Sequence, residues 1–306
     1  MQSFDSTRHS HLAPIHTLLQ CWWDNRPSDV VGLALYGSRA KNCAEHHSDW
    51  DIAVLTRSDN PDVHVICREL PRDCENAPIH ALCESIDTVR AEAEYGGNVM
   101  SAIAHQGIAL FGDPIPITEG LDRKPSYIAA ATSIVATLEA LAAFLLGANV
   151  RYSKRKTHNN HATAYSANAA EHLVKGFLSI RGVNYRFIHD IAGLCDQLES
   201  ERPEDSIVKE LRKLDGFTTQ AHKGPYQSIR RPLEALTQTT ERVCRVLALL
   251  PHLVAECFDD GDLDEDVRAE VLDVLAILQE RASELQDLSL KQEFQRALEK
   301  TDSNLM

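Results

Sequence analysis

The chain changes texture once, and that change limits its fold more than any other feature. Up to about residue 113, short β-prone runs alternate with helical stretches. Val30 to Tyr36 (VVGLALY), Asp51 to Thr56 (DIAVLT), Ala77 to Cys83 (APIHALC) and Gly107 to Gly112 read as strands. Helices are expected over 15–23, where Ile15, Leu18, Leu19 and Trp22 share one face behind Pro14, over roughly 61–70, and over most of 86–107. Asp113-Pro114-Ile115-Pro116 is a natural linker. Beyond it nearly everything follows a helical period, in segments 126–148, 158–181, 188–199, 205–215, 228–250 and 264–300. Gly147, Gly182, Pro203, Gly224-Pro225 and Pro251 are the expected breaks. An α/β-textured domain followed by a helical bundle with a C-terminal appendage is the expected organisation, with bounds at 1–116, 117–253 and 254–306.

At 306 residues the chain is long enough for two domains with real cores. Its 31 Lys and Arg against 45 Asp and Glu leave a formal net charge of −14, which argues against a protein that coats nucleic acid. With 43% hydrophobic and 25% charged residues, wholesale disorder is excluded. No uninterrupted apolar stretch reaches about 18 residues, so no membrane span or membrane partner is expected. The opening residues MQSFDSTRHSHL have neither a basic nor an apolar leader region, and no secretory signal is expected. Eight cysteines without any CxxC spacing read as free thiols, most of them buried, in a reducing, cytoplasmic setting. A zinc site from Cys43, His46 and His47 is the alternative. The basic run Arg151 to Lys156 and the eight carboxylates between 256 and 270 read as solvated surface. The run Asp259-Asp260-Gly261-Asp262 lacks the ligand order of a calcium loop.

The chemistry is concentrated in Leu35-Tyr36-Gly37-Ser38-Arg39-Ala40 and Asp49-Trp50-Asp51. A strand delivers a Gly-Ser turn that opens a helix, and a second strand begins with carboxylates at i and i+2. Such side chains face the same way, so Asp49 and Asp51 can hold a divalent metal together. Gly37 lets the backbone approach a phosphate, Ser38 can donate to it, and Arg39 and Lys41 can neutralise its charge. Mg²⁺ bridging carboxylates and nucleotide phosphates, with Mn²⁺ as the alternative, is what nucleotidyl transfer requires.

These residues, YGSRA and SDWDIAVL, resemble the minimal nucleotidyltransferases of the DNA polymerase β-like superfamily over roughly residues 12–113. The resemblance implies an α+β domain with a small mixed β-sheet. It further implies a nucleoside triphosphate, ATP first, bound with two metals, and transfer of a nucleoside monophosphate to a hydroxyl of a protein, an RNA or a small molecule. The family supplies a third carboxylate from a later strand. Here that strand is Ala77 to Glu84, with His80 at the expected position and Glu84 the nearest carboxylate on the same face. Glu84 is therefore the third catalytic candidate beside Asp49 and Asp51. Without it, nucleotide binding would survive and catalysis would suffer.

A second resemblance covers about 126–250. The residues Ala169-Ala170-Glu171, Lys175, Arg181-Gly182 and Ile188-His189-Asp190 are similar to a HEPN domain, an up-down helical bundle often paired with a minimal nucleotidyltransferase. Glu171 and Lys175 also make an i, i+4 pair. The pairs Arg151 with His158 and Arg155 with His161 have the spacing of the HEPN ribonuclease motif, but precede the AAE helix rather than closing the bundle. The leading expectation is thus an enzyme, with Glu84 or Glu171 as base and the acceptor in a cleft between the domains, as also suits a resemblance to aminoglycoside nucleotidyltransferases. A degenerate nucleotidyltransferase acting as a nucleotide-binding regulatory or toxin–antitoxin-type module is the alternative, and a HEPN ribonuclease is third. A homodimer through the helical domain completes the partner expectations.

Overall fold

The computed structural model describes residues 1–42, 44, 48–58, 66, 70–113, 115, 124–149, 156–183, 185, 190–215, 234–260, 263–285 and 287–305. The chain separates into two compact units, Met1–Lys124 and Pro125–Met306.

The first unit is built on a six-stranded mixed sheet in the order β1-β6-β2-β3-β5-β4. The strands are β1 (Gln2–Ser3), β2 (Val30–Tyr36), β3 (Trp50–Thr56), β4 (Asp73–Cys74), β5 (Ala77–Ser85) and β6 (Ile108–Gly112). β2 lies antiparallel between β3 and β6, β5 runs parallel to β3, and β1 runs parallel to β6. Four of the strands fall on the expected apolar runs. β1 and β4 have two residues each, too few for any alternation to show.

Period-two alternation gives the sheet two apolar faces. Leu33, Leu35, Trp50, Ile52 and Val54 pack on one side with Ile15, Leu19 and Trp22 of α1 (Ala13–Asp24). Ala34, Ala53 and Leu55 pack on the other with Val89 of α3 (Ile86–Glu92) and Ile103 and Ala104 of α4 (Val99–Gln106), while the short α2 (Gly37–Ala40) follows β2. The single helical stretch expected over 86–107 is divided because Asn98 caps a new helix, accepting from the Ser101 N–H at 2.6 Å. The expected helix 61–70 lies largely outside the described residues, with Ile66 helical and buried.

The second unit is helical throughout its described elements. They are α5 (Tyr127–Asn149), α6 (Lys156–Ile180), α7 (Ile191–Glu201), α8 (Ile207–Arg212), α9 (Glu234–Asp260), α10 (Glu265–Ser283) and α11 (Leu288–Ser303). α6 packs along α5 and α9, α10 lies against α5, and α11 lies against α9. One continuous core runs from Ala130 to Leu305 and includes Phe144, Phe177 and Phe294, all fully buried.

Pro251 does not end its helix as the sequence suggests. α9 passes through it, because Val246, Leu247, Leu250, Leu253, Val254 and Cys257 are buried on both sides of it. That packing outweighs the roughly 3 kcal/mol an interior proline costs. The expected segment 264–300 is two helices, because Asp287 caps the second by accepting from the Ser289 and Leu290 N–H groups. Asp190 caps α7 through the Gly193 N–H, in the capping role its position predicts. Within the acidic stretch, Asp264 caps α10 through the Val267 N–H and Glu256 pairs with Arg181.

Among the described residues, one helix is long and apolar enough to cross a membrane, over Tyr127–Leu146, with mean hydropathy 1.9. Its apolar run is not continuous, since Thr132, Ser133, Thr137 and Glu139 interrupt it. Of that window 61% is buried inside the protein, as befits a central bundle helix.

Candidate active site

The site grows from one register. β2 and β3 pair so that Tyr36 stands opposite Asp51, and β3 and β5 pair so that Asp51 stands opposite His80. Immediately after β2 the chain turns through Gly37 at φ +72°, a left-handed conformation that glycine adopts without steric cost. A Cβ at Gly37 would lie 2.2 Å from Asp51 Oδ2, so only glycine leaves the carboxylate in place. Asp49, two residues before Asp51, turns to the same side, and its Oδ2 lies 3.4 Å from His80 Nδ1.

Burial, reinforced by the Asp49 charge, pushes the Asp51 carboxyl up to about 6, with His80 and Arg39 pulling the other way. Burial and the Asp51 charge push the Tyr36 phenol up to about 12. Two acidic groups held together in partial burial are electrostatically short of a cation. Among the described residues no three His, Cys, Asp or Glu side chains form a ready ligand set. The pair nevertheless suits Mg²⁺, which keeps several waters and takes one or two carboxylates together with substrate phosphates.

Arg39 is committed elsewhere than the sequence suggests. Its Nε donates to the Ser48 and Asp49 carbonyls at 2.9 and 3.2 Å, and Nη2 donates to Ser48 at 2.7 Å. Its guanidinium lies 3.9 Å over the Trp50 ring. It therefore fastens the approach to β3 rather than facing a phosphate. Arg39→Ala is expected to cost about 2–3 kcal/mol of stability, through lost charge-assisted hydrogen bonds and stacking. Arg39→Lys should recover little of it, since Lys lacks the planar fork. Denaturant unfolding of both variants checks this; an Arg39→Ala protein as stable as the parent would remove the clamp.

Ser38 lies in α2, and Lys41 is that helix's C-cap, half-buried. Glu84 is not brought to the carboxylate pair. It stands opposite Leu55, roughly 13 Å along the strand from the Asp51 level at the usual rise per residue. Glu171 is buried in the second unit, where its carboxylate accepts from Lys175 Nζ at 2.5 Å, so its base role is not what its surroundings favour. The Cys43, His46 and His47 grouping, Arg151, Arg155 and His189 lie outside the described residues, and His158 and His161 are described only as helical backbone.

Sequence reasoning missed Trp50 as a structural anchor. Its indole is 1% exposed on the opposite face of the sheet, and its Nε1 donates to the Cys74 carbonyl at 3.0 Å. The signal was present, since Trp50 must alternate away from the two aspartates that flank it.

The polymerase beta nucleotidyltransferase family model matches residues 24–114, and the HEPN domain model matches residues 144–250. The chain joins a polymerase β-type nucleotidyltransferase domain to a HEPN domain. The Gly37-Ser38 turn and the Asp49–Asp51 pair lie inside the nucleotidyltransferase match, and the Glu171–Lys175 pair inside the HEPN match. Among solved structures, the chain is similar to a nucleotidyltransferase-like protein from Exiguobacterium sibiricum 255-15. The identity is 12%, the coverage 87% of this chain and 90% of that one, and the TM-score 0.34. No curated protein matches the chain.

Proposed function

We propose that the nucleotidyltransferase domain binds a nucleoside triphosphate, ATP first, with Mg²⁺, and transfers its nucleoside monophosphate to a hydroxyl acceptor. The observation that carries this is the fit of Gly37 against Asp51. The left-handed glycine turn and the second carboxylate of the pair are built around each other, and this supports reading the turn as a phosphate cradle beside a cation-holding group. A bound divalent cation would supply charge neutralisation across the phosphates. Asp49 and Asp51 would hold it, and Gly37 and Ser38 would orient the triphosphate. The cysteines among the described residues, four of them buried, are free thiols, which supports a reducing compartment such as the cytoplasm.

One feature favours a second reading, a nucleotide-binding regulatory module with little transferase activity. The strand position opposite Asp51 carries His80, and Glu84 is out of reach. Calorimetric titration of the full chain with a non-hydrolysable ATP analogue, with and without Mg²⁺, tests the shared binding step. Saturable, cation-dependent binding is expected, adding about 2.7 kcal/mol of stability at a hundredfold excess over Kd. Absence of binding under both conditions sinks both readings. Pyrophosphate release with candidate acceptors then separates transferase from sensor.

A further inference from the structure

His80 sits where a carboxylate is expected, and although it forms no ready three-ligand set with Asp49 and Asp51, it is brought to the edge of their pair. It stands opposite Asp51 in the β3–β5 register, and its Nδ1 approaches Asp49 Oδ2 to 3.4 Å. Adjacent ligands of a six-coordinate cation with bonds of about 2.1 Å lie about 3 Å apart. A nitrogen and an oxygen at the observed separation reach neighbouring corners of such a shell with a shift of a few tenths of an ångström. His80 has no evident packing role, since its side chain is 62% exposed and the adjacent Ala81 is exposed as well.

We infer that His80 is a nitrogen ligand of the cation held by Asp49 and Asp51, and that the site therefore takes a divalent transition cation such as Mn²⁺ in preference to Mg²⁺. This rests on reading the site as the nucleotide site. Asp49 and Asp51 supply two negative charges, which balance the cation without a third carboxylate. An imidazole contributes a donor and no charge. Mg²⁺ is hard and gains little from nitrogen, whereas imidazole suits first-row transition cations. Such cations still accept carboxylate and phosphate oxygens, so nucleotide binding is retained.

The test is a titration of the full chain with MnCl₂, with and without the non-hydrolysable ATP analogue. Bound Mn²⁺ is read by electron paramagnetic resonance, and coupling to imidazole nitrogen by electron spin echo modulation. The parent should bind Mn²⁺ with nitrogen coupling and resist displacement by MgCl₂. His80→Ala should lose the coupling and about tenfold of the Mn²⁺ over Mg²⁺ preference. His80→Asp should lose the coupling and shift preference toward Mg²⁺. Mn²⁺ that is lost in Asp51→Asn, but shows no nitrogen coupling and the same competition in His80→Ala, overturns the role of His80 and leaves the nucleotide site standing. No binding of either cation, with or without the analogue, overturns both.

Discussion

Asp51→Asn is expected to abolish cation-dependent nucleotide binding while making the cation-free protein more stable at neutral pH. The first effect follows from loss of a direct ligand. Even outer partners of metal ligands cost roughly 10–100-fold in affinity, so removal of Asp51 should cost about 100-fold or more. The second follows from the raised carboxyl, about 6 in the folded protein against an ordinary 3.8. A carboxyl raised by folding binds its proton more tightly in the native state. Stability is therefore highest below about 4, falls as pH rises toward 6, and carries the full penalty above 6. The whole shift corresponds to about 3 kcal/mol, reduced to roughly 1–2 by solvent screening of a half-buried group. Thermal unfolding with a chelator present should show Asp51→Asn above the parent at pH 7.5, with the gap closing near pH 4. A variant less stable than the parent at pH 7.5 would contradict the account of a buried carboxylate crowded by its neighbour.

The second large effect belongs to the HEPN domain. Lys175→Met should cost about 3–5 kcal/mol, because it removes the ammonium 2.5 Å from Glu171, a carboxylate whose side chain is only 3% exposed. For a helical unit of this size that corresponds to roughly 10 °C in midpoint. The Glu171→Met, Lys175→Met double variant should regain most of the loss, since two apolar side chains replace two desolvated charges. Tyr185 reports on the pair independently. Its phenol is pushed up to about 12 mainly by burial, with the Glu171 charge adding and a hydrogen bond to Ser179 opposing. Removal of Glu171 should lower it, measurable by ultraviolet titration of tyrosine. A neutral Lys175→Met would show that the other groups around Glu171 hold its charge without the lysine.

What the sequence disclosed, and what it withheld, follows from the range of each interaction. The strands over 30–36 and 51–56 were legible because their apolar runs declare themselves locally, and the fold adds Trp50 to the second. That His80 stands in place of a third carboxylate was legible through the family resemblance, and alternation put it on the same face as Glu84, but its register opposite Asp51 came only with the β3–β5 pairing. Continuity of α9 through Pro251 was not legible, because propensity is local and the apolar partners that override it come from other helices. Nor was the fate of Arg39. A basic residue beside a Gly-Ser turn suggests a phosphate ligand, and only the folded backbone places the Ser48 carbonyl within its reach. The Glu171–Lys175 pair was legible as a helical pair, but its depth was not, since spacing alone does not report which face a helix turns inward.

Trp50 separates the two aspartates in sequence and anchors them from beneath. Its indole is fixed on one side by the Arg39 guanidinium and at its edge by the Cys74 carbonyl, so the backbone bearing both carboxylates has little freedom to splay. Asp51, held partly buried beside Asp49, carries the cost of its burial and of the neighbouring charge as a standing free energy, and a cation collects it on arrival. Its affinity is then set partly by the far side of the sheet. A cavity opened under Trp50 would loosen the backbone that carries both carboxylates, soften the site and weaken the cation without touching a ligand. Affinity for the ion becomes a readout of how tightly the hydrophobic layer below is packed.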